Sequence, residues 1–119
     1  MEWHAYPGAP AAGTVLCEEA ALAAGKPVGV SFGEGSAVFK AVVMPTEAGV
    51  RAYVNLCPHF RIPLTTSGRF VTTPGYVWCG FHSAQFRQSD GYCVDGPCKG
   101  ASLDAIPVVV HNGRVVIDV

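Results

Sequence analysis

Two short segments hold the residues best able to do chemistry, Cys57-Pro58-His59 and Cys79-Gly80-Phe81-His82. Each offers one thiolate and one imidazole, so together they make a four-ligand metal set. Both place the cysteine first and the histidine second, and the two spacings differ by one residue. Structural zinc is the first chemistry to weigh, because two Cys and two His are a zinc set. Zinc sites usually draw on a Cys-x-x-Cys knuckle and a His pair, and this chain has neither at these segments.

A cysteine and a histidine from each segment suit a cluster of two irons and two sulfides, with both Cys on one iron and both His on the other. That is the pattern of a Rieske [2Fe–2S] centre, one per chain, held by Cys57, His59, Cys79 and His82. Charge explains why such a site is useful. The oxidised core is formally +2, two thiolates cancel it, and two neutral imidazoles add nothing, so one electron takes a neutral site to about −1. A four-Cys cluster would go from about −2 to −3, which electrostatics disfavours, so His ligation raises the potential. Four protein ligands leave no iron open to substrate. The chain also lacks a nucleotide-binding glycine motif. It reads as an electron carrier and not as a catalyst. His4 and His111 lie outside the motif and read as surface or packing residues.

The other cysteines are read more plainly. Five in total is an odd number, which suits a reducing compartment better than a fully paired disulfide framework. Cys17 follows Thr14-Val15-Leu16 and reads as a small buried hydrophobe. Cys93 and Cys98 read as buried free thiols, with a redox-active disulfide across a turn as the alternative. The N-terminal Met1-Glu2-Trp3-His4 has neither the basic start of a secretory signal nor a twin arginine, and no apolar run approaches the roughly 20 residues of a membrane helix. A cytoplasmic protein with no membrane partner is expected.

Something rigid must hold the two segments together. With 119 residues, 50% hydrophobic and 14% charged, the chain is long enough for one domain with a modest core and too apolar for disorder. Val28–Phe32, Ala37–Val43 and Val50–Val54 are β-branched or aromatic runs bounded by turn formers, the signature of strands. Val108–His111 and Arg114–Ile117 flank Asn112-Gly113, which predicts a hairpin closed by a type I′ turn. Tyr76–Trp78 reads as a short strand delivering the second ligand segment. Only 18–24 reads as helical, a turn or two ended by Gly25 and Pro27. Strands on both sides with Gly-, Pro-, Thr- and Ser-rich loops between them imply a β scaffold presenting the metal site at its tip.

On Cys57, His59, Cys79 and His82, with Phe86, Asp90-Gly91 and Gly96-Pro97, the chain resembles the Rieske-type ferredoxins that feed ring-hydroxylating oxygenases. More loosely it resembles the Rieske-like small subunit of nitrite reductases. The resemblance implies an all-β Rieske fold over 1–119: an antiparallel β-sandwich or barrel base with an inserted cluster-binding subdomain at about 56–98. It implies a soluble one-electron carrier, not itself an enzyme, passing electrons from a flavin-dependent reductase to a terminal oxygenase. The alternative is a small subunit of a larger oxidoreductase such as nitrite reductase. Gly96-Pro97 matches the family's third, cluster-covering loop. Gly80 and Ser83 depart from the usual Pro and Gly, and Arg61 stands where a small residue is frequent.

The resemblance also bears on potential and docking. High-potential members carry a disulfide between the ligand loops and hydroxyl donors near the cluster. Here the matching positions hold Ile62 and Phe81, Ala84 and Phe86, with Ser83 the one nearby hydroxyl, so a potential towards the low end of roughly −150 to +300 mV is expected. In the family the His ligands lie nearest solvent, which places partner docking at His59 and His82, ringed by Phe60, Pro63 and Phe81. Residues 57–99 carry Arg61, Arg69, Arg87 and Lys99 against Asp90 and Asp95, whereas the rest of the chain has three more acidic than basic residues. A mildly basic cluster end suits an acidic rim on a partner. Four dispersed cations are too few to argue for nucleic acid.

Overall fold

Strand 39–46 shows how the chain is layered. Its residues 41–44, Ala-Val-Val-Met, are all buried, where a half-exposed strand would alternate. Side chains alternate between the two faces of a strand, so an uninterrupted apolar run must be covered on both faces. Phe39, Ala41 and Val43 pack into one buried cluster and Val42 and Met44 into another.

The computed structural model describes residues 2–58, 62–64, 70–79 and 84–118. Among them are eleven strands: β1 (Val15–Glu18), β2 (Val28–Phe32), β3 (Phe39–Thr46), β4 (Gly49–Val54), β5 (Val71–Thr73), β6 (Tyr76–Trp78), β7 (Gln85–Arg87), β8 (Cys93–Asp95), β9 (Ala105–Ile106), β10 (Val108–His111) and β11 (Arg114–Ile117). They form three antiparallel sheets, ordered β1-β11-β10, β2-β3-β4-β9 and β5-β6-β7-β8. The all-β class is as expected. Strands β4 and β9 are neighbours, with Ala52 opposite Ile106, although some fifty residues of chain lie between them. That intervening chain supplies the third sheet. The first two sheets enclose the cluster of Leu16, Phe39, Ala41, Val43, Val54, Ile106, Val115 and Ile117. The opposite face of the second sheet contributes Val42, Met44 and Tyr53 to the cluster that also contains Cys57 and Cys79.

The Asn112-Gly113 turn has φ of 50° and 76°, both positive as a type I′ turn requires, and His111 sits opposite Arg114 across it. Strand β3 begins two residues later than the sequence pattern predicts because Ala37 is held in a turn, its N–H donating to Glu34 O. It runs three residues further, through Pro45. There β2 has already ended, so β3 has a neighbour on one side only and the missing proline N–H is tolerated as on an edge. The predicted helical stretch shrinks to a 3₁₀ turn, Glu19–Leu22, because Glu18 is drawn into β1 opposite Arg114 and Gly25, at φ 76°, closes the other end. Among the described residues no helix is long and apolar enough to cross a membrane.

Tyr53 joins the base to the inserted sheet. Its ring is buried and its hydroxyl donates to Gln88 O at 2.7 Å. Burial, with help from nearby Asp90 and against Arg51, pushes the hydroxyl from 10.0 up to about 12. Because the folded state holds this proton more tightly than the unfolded state, the associated stability is full below pH 10 and lost as pH rises towards 12. Tyr53→Phe should cost about 1 kcal/mol at neutral pH for the lost hydrogen bond and flatten this alkaline decline. Urea unfolding of both proteins at about pH 8 and pH 11 measures it. An equal decline in both would show that Tyr53 is not the group responsible.

Candidate metal centre

The two ligand segments start from equivalent backbone devices. Cys57 N–H donates to Ile62 O at 2.7 Å, and Cys79 N–H donates to Ala84 O at 2.8 Å. Each cysteine thus closes a loop against a residue five positions on, so its own N–H is satisfied while the side chain remains at the loop's base. Both cysteines are buried, 0% and 1% exposed, in one cluster with Leu64, Val77, Ala84, Phe86 and Leu103. The residues between the closures include His59 and His82; positions 59–61 and 80–83 lie outside the described residues, as do Phe60, Arg61, Phe81 and Ser83.

Each closure depends on an element behind it. The first loop leaves β4 through Asn55, a buried polar residue whose N–H donates to Lys40 O on β3 and whose Oδ1 accepts from Leu64 N–H at 2.9 Å. Asn55 thereby clamps the far end of the first loop to the central sheet. A polar residue ending an apolar strand just before Cys57 was its signal in the sequence. The second loop connects β6 to β7, which pair with Val77 opposite Phe86, so the Cys79 closure extends a regular hairpin.

The remaining cysteines are all free thiols. Cys17 is half-buried on β1, and burial, then the Glu18 carboxylate, pushes its thiol up. Cys93 donates to Asp95 O at 3.1 Å, and burial pushes its thiol up as well. Cys98 is buried in the loop after β8, with its Sγ 3.1 Å from Cys57 Sγ. Four cysteines therefore share one core cluster. Of the two outlying histidines, His4 is exposed and paired with Glu2, and His111 is exposed beside Asn112.

This donor chemistry fits a two-iron, two-sulfide cluster. Two buried thiols at the bases of equivalently closed loops can share one iron, and each loop carries a single histidine for the other. Ala84 and Phe86, fully buried beside the cysteines, bring no hydroxyl, and Ile62 packs against the same cluster.

Among solved structures the chain is similar to a ferredoxin from Sphingomonas yanoikuyae B1, with 26% identity and a TM-score of 0.71, covering 90% of this chain and 98% of that one. It shares the fold of the terminal oxygenase of carbazole 1,9a-dioxygenase from Novosphingobium sp. KA1, with 23% identity and a TM-score of 0.69, covering 86% of this chain but only 28% of the oxygenase. A further match, from a complex of reduced oxygenase and oxidised ferredoxin in carbazole 1,9a-dioxygenase, has 19% identity and a TM-score of 0.69, covering 88% and 91%. No curated protein sequence matches significantly. The model of the Rieske [2Fe-2S] domain matches residues 13–111, nearly the whole chain and all the elements that shape the two loops. The chain therefore belongs to the Rieske [2Fe–2S] domain family, and a Rieske-type cluster is its cofactor.

Proposed function

We propose that this chain is a one-electron carrier in which Cys57 and Cys79 hold one iron of the cluster and His59 and His82 the other. It forms a single domain over 1–119 whose cluster-binding part spans about 56–98. The observation that carries the reading is the pair of equivalent closures at Cys57 and Cys79, buried together. When bound, the cluster takes up and releases one electron. The protein's part is to hold it rigid and dry on the cysteine side: Leu64, Val77 and Phe86 pack there, and Ala84 and Phe86 supply no hydroxyl that would stabilise added negative charge. A potential below about +100 mV follows.

The electron leaves on the histidine side, past His59 and His82, with Phe60, Pro63 and Phe81 as an apolar docking patch and Arg61 steering the approach. The donor is a flavin-dependent reductase and the acceptor a terminal oxygenase, in keeping with the ferredoxin–oxygenase complex in which one relative was solved. A cytoplasmic setting suits the free thiols. In stopped-flow electron transfer, Arg61→Glu should slow the reaction several-fold at low salt, and the difference should fade near 1 M, where the Debye length is about 3 Å. A rate indifferent to both salt and the substitution would remove Arg61 from docking. Co-purification at a fixed ratio with a large catalytic chain would replace the shuttle with a built-in relay subunit.

A further inference from the structure

Cys98 is 41 positions from Cys57 in the chain, yet their sulfurs lie 3.1 Å apart, and both residues are buried, 2% and 0% exposed. The approach is built into the loop after β8. Lys99 N–H donates to Gly96 O, Ala101 N–H to Cys98 O, and Gly100 N–H to Cys93 O, while Cys93 N–H donates to Ala101 O. The loop is thus folded back, with Gly100 and Ala101 just after Cys98 tied to Cys93 on β8, so the backbone holds Cys98 beside Cys57.

We infer that Cys98 is a positioning residue for electron transfer, donating its S–H to Cys57 Sγ and thereby favouring the reduced state. The inference rests on Cys57 being a cluster ligand. A ligating cysteine is a thiolate and can only accept, so the proton in the Cys57–Cys98 contact belongs to Cys98. Among the described residues packed there, Ala84, Phe86 and Leu64 have no side-chain donor, and Cys93 turns its thiol to Asp95 O. A hydrogen bond to a sulfur strengthens as negative charge on that sulfur grows, so it stabilises the reduced form more than the oxidised one. S–H is a weak donor, which keeps the effect modest.

The test is the midpoint potential of the full-length, cluster-loaded protein and its Cys98→Ala and Cys98→Ser variants. Cys98→Ala should shift the reduction equilibrium threefold to tenfold towards the oxidised state, about 30 to 60 mV at 59 mV per tenfold for one electron. Cys98→Ser, which keeps a donor, should return the potential to the parent value or above. An unchanged potential in Cys98→Ala, or an equal fall in both variants, overturns the inference. Iron and sulfide content and the spin resonance signal of the parent protein test the underlying reading separately, since their absence would remove the cluster and not merely the donor.

Discussion

Replacing Cys57 or Cys79 with alanine should leave a colourless protein with essentially no iron. Under the proposed ligation each thiolate supplies half the protein ligation of one iron, and among the described side chains packed around them no carboxylate or imidazole stands in; Cys98 is removed along with Cys57 so that its thiol cannot substitute. The histidine side behaves differently. His59→Ala or His82→Ala should abolish or convert the low-average-g spin resonance signal expected of mixed ligation, and His59→Cys should leave a more negative site that is harder to reduce, for the charge reason that separates Rieske centres from four-Cys clusters. Iron and acid-labile sulfide analysis of the parent protein should give about two of each per chain. Stoichiometric zinc in protein expressed with ample iron would sink the reading.

Loss of the cluster should also loosen the fold around it. The cysteines are not appended to a finished core; they are part of the core that contains Tyr53, Phe86 and Leu103. The base sheets pack a separate cluster around Phe39 and Val115 and depend less on the metal. Unfolding of the metal-free protein should therefore begin in β5–β8 while β1, β10 and β11 persist.

What the sequence reveals about this molecule follows the range of the interactions involved. The ligand segments are legible because metal chemistry is written in three or four adjacent residues. The β10–β11 hairpin is legible because Asn-Gly dictates its own turn, and β2 matches its predicted bounds because its β-branched run is bounded by turn formers on both sides. Strand β5 is not: Val71–Thr73 is exposed along its length and too short to alternate, so nothing distinguishes it from the loop around it. Strands β7 and β8, three residues each, show only through the Asp90-Gly91 turn between them. Cys98 shows the limit most clearly. As a residue it reads as one more buried thiol, and its meaning comes from a contact with Cys57 that only the folded third sheet creates. Asn55 is similar, since its clamp on Leu64 depends on where β3 places the carbonyl of Lys40.

Gly91→Ala should damage both the packing of the inserted sheet and the metal centre beside it. Gly91 has φ of 76°, a left-handed backbone that costs an L-residue roughly 1 to 2 kcal/mol. A Cβ there would also lie 2.8 Å from Tyr53 Cε1 and 3.3 Å from Leu103 Cβ. The Tyr53 ring has little room to yield, because it is buried and its hydroxyl is held by Gln88 O. Overpacking of this kind costs about 1 to 3 kcal/mol, so the total is roughly 3 kcal/mol. Set against a stability of about 5 to 15 kcal/mol for a domain of this size, the melting temperature should fall by roughly 10 to 15 °C. The damage should reach the metal centre, because Gly91 N–H donates to Arg87 O and Leu103 N–H donates to Gly91 O, and these bonds set the turn between the strands carrying Phe86 and Cys93. Gly113 supplies the control: it has the same φ of 76° but nothing within 4 Å of its would-be Cβ. Gly113→Ala should therefore lose only the backbone cost, about 1 kcal/mol, and keep its cluster. Thermal unfolding of the two variants, followed by visible absorbance, separates strain from collision; equal losses at the two sites would mean that the Tyr53 ring moves aside and that packing between β4 and the inserted sheet is looser than the distances imply.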